Sequence, residues 1–173
     1  MLRSLPYCDL LPATPIVRKL DCVVTRLGPV RGAEPAEVSR FLGGILVRIL
    51  VADDNPAVRH YLRGLLELQS TWRVCSEAPT GGEALQRIKD DPPDMILLDF
   101  QMPDLNGIEV ARQITRLFPE IPILMVTIHL SKQLADEARK AGIRGVCSKS
   151  DVGSIVEAVD TLLHQRTYFP QAS

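Results

Sequence analysis

The sequence carries no excess of either charge: 20 Lys and Arg residues stand against 21 Asp and Glu. The electrostatic footprint of a nucleic-acid surface is missing, and the basic residues ahead of Ile45 are scattered. No apolar run reaches the ~18 residues of a membrane-spanning helix. The N-terminus lacks the contiguous apolar segment and small-residue cleavage site of a signal peptide. Only four cysteines occur, Cys8, Cys22, Cys75 and Cys147, and their spacing suits neither a metal knuckle nor a disulfide framework. A reducing cytoplasm is the expected setting. Cys75 and Cys147 lie among apolar residues and are expected as small core side chains. Internal repeats and low-complexity segments are absent.

The material that is present suits one core: 173 residues, 46% of them hydrophobic. Residues 1–45, with Pro6, Pro12, Pro15, Pro29 and Pro35 among them, show no sustained period. They are expected to be a poorly structured extension, or the product of a misassigned start, with Val47 a natural beginning for the folded domain. From Ile45 the pattern changes. Strands are expected at Ile45–Ala52, Trp72–Glu77, Met95–Asp99, Ile123–Thr127 and Arg144–Ser148. Between them lie helical patterns. The first is capped by Asn55-Pro56, the second covers Glu83–Lys89, the third Gly107–Phe118 with Ile108, Val110, Ala111, Ile114 and Leu117 available for packing. The fourth runs from Ser131 to Ala141 with Gly142 at its left-handed end, and the fifth runs from Ser150 or Asp151 until Pro170. Strand–helix alternation five times over predicts an α/β fold: a doubly wound, five-stranded parallel sheet, order 2-1-3-4-5, with helices on both faces, over residues 46–166, followed by a tail at 167–173.

In that order the carboxyl ends of strands 1, 3, 4 and 5 are neighbours, and each carries a polar residue: Asp53-Asp54, Asp99, Thr127 and Lys149. Open α/β sheets bind ligands at this rim. Clustered carboxylates repel one another. A hard divalent cation such as magnesium relieves that repulsion while needing only one or two carboxylates. Asp54 and Asp99 are the expected direct ligands, with Asp53 holding water beside them. Asp99 is then placed as a nucleophile toward phosphorus, with Lys149 supplying positive charge and Thr127 a hydroxyl for the phosphoryl oxygens. Taken singly, each residue has a plainer reading: a turn or cap aspartate, a β-forming threonine, a solvated lysine. Their joint occurrence at four strand ends outweighs those readings.

The segments ILVADDN, ILLDFQMPDLNG, ILMVT and GVCSKSD resemble a receiver domain of two-component response regulators, over about Val47 to His164. Intervals of 45 residues from Asp54 to Asp99, 28 to Thr127 and 22 to Lys149 agree with that family. The resemblance implies Asp99 as phospho-acceptor, Asp53 and Asp54 as the magnesium acids, the backbone carbonyl of Gln101 as a third protein ligand, Thr127 as the switch hydroxyl and Lys149 as the phosphoryl-binding lysine. Pro103 and Gly107 match the loop after the acceptor strand. It implies a sensor histidine kinase or phosphotransfer protein as donor, a downstream protein partner, and no direct nucleic-acid or membrane binding by this chain; homodimerisation is left open. GVCSKSD and HQRTYFPQAS resemble NarL- or LuxR-type receivers, in which a similar tail leads to a helix-turn-helix domain. None follows Ser173, so a stand-alone receiver or a lost output domain is expected.

One position departs from the family. Receivers usually carry Tyr or Phe three residues before the lysine, and here Val146 stands there. The departure gives some weight to an unphosphorylated pseudo-receiver. His129, two residues after Thr127, is either a neighbour of the phosphoryl group or an ordinary loop histidine. An enzyme alternative, a haloacid-dehalogenase-type phosphatase, uses the same residue types, but its nucleophile lies on the first strand and its acid pair comes late, the reverse of this chain.

Overall fold

The structure, a computed structural model, describes residues 46–170; the expectations for residues 1–45 and for the last three positions lie outside them. Five strands, β1 (Val47–Ala52), β2 (Trp72–Ala78), β3 (Met95–Asp99), β4 (Ile123–Thr127) and β5 (Gly145–Ser148), alternate with five helices, α1 (Pro56–Glu67), α2 (Gly81–Asp90), α3 (Gly107–Leu117), α4 (Lys132–Lys140) and α5 (Val152–Leu163). The sheet is parallel throughout, in the order β2-β1-β3-β4-β5. That is the doubly wound topology expected from the sequence.

The central strands β3 and β4 are buried at every position, as continuous apolar runs in a two-sided sheet must be. Alternate strand residues feed two cores. Leu50, Ile96, Leu98, Ile123, Met125 and Val146 pack against α2, α3 and α4. Ile49, Val51, Met95, Leu97, Leu124 and Cys147 pack against α1 and α5. Each fully buried Leu or Ile contributes about 1.5–3 kcal/mol relative to exposure, so the strand ends rest on a rigid platform.

Helix starts obey side-chain chemistry. Asn55 accepts from the Ala57 N–H at 2.9 Å with Pro56 next in line. Asn106 and Glu109 form a reciprocal capping box at α3. Ser131 caps α4, and Asp151 rather than Ser150 caps α5. Gly142 has φ 85°, with Thr115 against the place of its missing side chain.

Four expectations are corrected. First, α2 begins at Gly81, because Thr80 rather than a later residue accepts from the Glu83 N–H. Second, α5 does not run to Pro170. The Gln165 N–H donates to Leu162 O at 2.9 Å and the Arg166 N–H to Thr161 O at 3.1 Å, closing the helix with Gln165 at φ 59°. The chain then turns back: the Tyr168 N–H donates to Arg144 O and the Val146 N–H to Tyr168 O, a parallel bridge along the free edge of β5. Third, Cys75 is exposed while Cys147 is fully buried. The β1–β2 register slips between Ile49 and Leu50, leaving Cys75 as the extra residue of a bulge on the edge strand. Fourth, Leu117 ends α3 on its solvent side instead of in the core.

Candidate functional site

Register brings the polar strand ends together. Ala52 pairs with Leu98, so the residue after β1, Asp53, lies beside Asp99. Asp99 pairs with Val126, which puts Thr127 one step further along the neighbouring strand. Thr127 pairs with Ser148, and the Lys149 N–H donates to Thr127 O at 2.8 Å. Carboxylate oxygens of Asp53, Asp54 and Asp99 all lie within 4.8 Å of one another. Asp53 and Asp99 are buried, as is Thr127, while Asp54 is exposed.

The Lys149 ammonium sits between two of these acids, 2.6 Å from Asp53 Oδ2 and 3.0 Å from Asp99 Oδ1. Asp53 Oδ1 accepts from the Asn55 N–H at 3.0 Å, which fixes the acidic turn. Its Oδ2 meets the Lys149 ammonium and no other donor among the described residues. Burial pushes the Asp99 carboxyl above its ordinary value, with Asp53 adding to the rise and Lys149 and the Gln101 backbone opposing it. For Lys149, burial alone works against the charged form, but Asp53 and Asp99 more than reverse it and its pKa is raised.

Three carboxylates thus crowd around a single ammonium at the rim, two of them buried. A buried carboxylate oxygen whose one cationic neighbour, Lys149, is shared with Asp99, next to two more carboxylates, is a donor set that a hard, oxygen-seeking divalent cation fits. Soft metals, which favour thiolate or imidazole, find neither in this cluster.

Other residues expected at the rim are less engaged. Gln101 is exposed in the loop after β3. His129 is exposed; its backbone N–H donates to Thr127 Oγ1 at 3.2 Å. Val146 is fully buried. Gly107 answers a close backbone approach: a Cβ there would meet Asp99 O at 2.3 Å, and its N–H donates to Phe100 O.

Two supports around the rim carry no mark in the sequence pattern. Arg59 Nη1 donates to the carbonyls of Asp53 at 2.7 Å and Asp54 at 3.2 Å. Asp104, in the loop after Asp99, accepts from the Gly81 and Gly82 N–H groups that open α2, at 2.9 and 2.7 Å. Glu77, near the end of β2 and paired with Arg59 and Arg63, was legible as a further polar residue near a strand end. Arg59 left no signal, since its acceptors are backbone carbonyls, five and six residues earlier in the chain, which no side-chain pattern marks.

Known proteins share this arrangement of elements. Residues 49–160 match the family model described as the response regulator receiver domain. The transcriptional regulatory protein LnrK of Bacillus subtilis is 35% identical over 118 residues, covering 68% of this chain and 54% of LnrK. A two-component response regulator of the LuxR family from Aurantimonas sp. SI85-9A1 superposes with a TM-score of 0.69 at 33% identity, covering 71% of this chain and 89% of that one. The signal receiver domain of the putative response regulator NarL from Mycobacterium tuberculosis gives 0.67 at 31% identity, covering 70% and 99%. The chain thus spans about half the length of the curated relatives it matches. From residue 49 to residue 160, this chain belongs to the response regulator receiver family, on the NarL/LuxR side of it.

Proposed function

We propose that the chain is a phospho-accepting receiver in a two-component relay, taking a phosphoryl group on Asp99 and signalling through a changed protein-binding surface. The observation that carries this reading is Lys149 bridging Asp53 and Asp99, with the Asp54 carboxylate alongside. Asp53, Asp54, Asp99 and the Gln101 carbonyl would hold a magnesium ion, which neutralises phosphoryl charge when bound.

A carboxylate oxygen of Asp99 attacks phosphorus of a phosphohistidine on a sensor kinase or phosphotransfer protein. The P–N bond breaks, the imidazole leaves with its electron pair and takes up a proton, and an acyl phosphate remains on Asp99. Asp99 must be ionised to attack, and burial raises its carboxyl in the metal-free site, so acid opposes acceptance and magnesium, which favours the ionised form, supports it. Lys149 then exchanges part of its hold on Asp99 for the phosphoryl oxygens. The Thr127 hydroxyl, now accepting from His129, turns to donate to the same group. Its movement repacks the loop into α4 and alters the face that α4 and β5 offer a partner. Val146 leaves the rotating-ring part of such a switch without its usual residue. The chain turns over no separate substrate and works in the cytoplasm.

No observation favours the phosphatase alternative, whose nucleophile belongs on the first strand. Incubation with acetyl phosphate and magnesium is expected to add one phosphoryl mass to the intact chain, and Asp99→Asn to abolish it. A chain that gains no mass from acetyl phosphate, or an Asp99→Asn chain that still gains it, contradicts the proposal.

A further inference from the structure

The acidic turn after β1 has an unusual support. Asp54 is exposed, and none of the described residues holds its carboxylate by a hydrogen bond or ion pair. Its direction is set by the backbone that carries it. That backbone is gripped by Arg59, one helical turn into α1, whose Nη1 donates to the carbonyls of both Asp53 and Asp54. The guanidinium is itself pinned: its Nε lies 3.3 Å from Glu77 Oε2 on β2, and the side chain is only 15% exposed. Glu77 is held from its other oxygen by Arg63 Nε at 2.7 Å. Burial works against the Glu77 charge, but the two arginines more than offset it and keep its carboxyl below the ordinary range. The chain of contacts therefore runs from β2 through Glu77 and Arg59 to the two carbonyls behind the acid pair.

A planar fork with several fixed donors suits this task, because it can meet two carbonyls and a carboxylate at once. It also sets a positive charge behind two carboxylates that repel each other. We propose that Arg59 is a positioning residue for the cation site: it fixes the Asp53–Asp54 backbone so that both carboxylates face Asp99 before a divalent cation arrives. This rests on the phospho-acceptor reading of the site. Arg59 touches neither the cation nor the phosphoryl group. Without it, the entropy of ordering the acidic turn opposes cation binding. Supports one step removed from a metal typically change affinity 10–100-fold when lost.

The test is magnesium binding itself, measured by calorimetry on the full chain with no phosphodonor present. Arg59→Gln should raise the magnesium Kd about tenfold or more, and Arg59→Lys, which restores charge but not the fork, should recover part of that. Glu77→Gln, which leaves Arg59 in place but loosens it, should raise Kd in the same direction by less; it carries the test if Arg59→Gln does not fold. With acetyl phosphate, the loss should fall on the half-saturating magnesium concentration more than on the plateau rate, a split that general destabilisation does not produce. A folded Arg59→Gln or Glu77→Gln chain that binds magnesium as tightly as the wild type overturns the role of Arg59 and leaves the phospho-acceptor reading intact. A wild-type chain that binds no magnesium overturns both.

Discussion

Lys149 is the residue on which the acidic cluster balances. Removing one partner of a buried ion pair costs about 3–5 kcal/mol, because the remaining charge stays in a poor solvent. Here two acids lose that partner together, although the lysine is slightly exposed. Lys149→Met is expected to destabilise the magnesium-free chain by about 2–4 kcal/mol in urea denaturation. Added magnesium should return part of the loss if Asp53, Asp54 and Asp99 share a cation; equal loss with and without it would count against a shared site. The direction with pH follows from the raised Lys149 pKa. Its stabilisation is fully present below the ordinary lysine value and disappears as pH rises through the folded one. The side chains at strand ends were readable in the sequence because a parallel sheet of known order dictates which ends meet. Arg59 and Asp104 were not, because they act on backbone atoms, which no side-chain pattern marks: carbonyls five and six residues earlier in one case, the N–H groups that open α2 in the other.

Among elements, the loop after β3 and the start of α2 are tied by Asp104. Desolvation opposes the charge, but backbone N–H groups, those of Gly82 and Gly81 first, together outweigh it and hold this carboxyl below its ordinary range. Its stabilisation is therefore present above the usual carboxylate pKa and lost as pH falls through the lowered one. Solvent screens this exposed carboxylate. Asp104→Ala should cost only about 1 kcal/mol at neutral pH, with the difference from wild type shrinking in acid; denaturation at two pH values checks it. The terminal segment is the element least legible in advance. A glutamine in left-handed conformation closes α5 where neither Gly nor Pro announces an end, and the returning chain pairs with β5. The Phe169 ring then lies 4.0 Å from the Arg139 guanidinium of α4. Phe169→Ala is expected to cost about 1 kcal/mol, with faster amide exchange at Val146 and Tyr168. Unchanged exchange there would show that the ring does not hold the strand in place.

At the scale of the whole described domain, residues 46–170, one sheet separates two cores, and stability should be a sum over them. Ile114 belongs to the face covered by α2, α3 and α4, Ile155 to the face covered by α1 and α5, and both are fully buried. Ile114→Val and Ile155→Val should each cost about 0.5–1.5 kcal/mol, and the double variant should equal their sum within about 0.5 kcal/mol. Strong coupling between them would mean that the sheet transmits packing strain instead of isolating its faces. Hydrophobic period and strand–helix alternation made this architecture legible. The bulge at Cys75 is not legible, since a one-residue slip against β1 leaves no mark on the β2 pattern itself.

The acidic rim is tested most directly by fluorine NMR with beryllofluoride, a phosphoryl mimic that coordinates an aspartate oxygen. Bound fluorine resonances should appear on the wild-type chain only when magnesium is present and should be missing from Asp99→Asn. Bound resonances that persist after chelation, or that survive loss of the Asp99 carboxylate, would contradict a magnesium-assisted acceptor at this position.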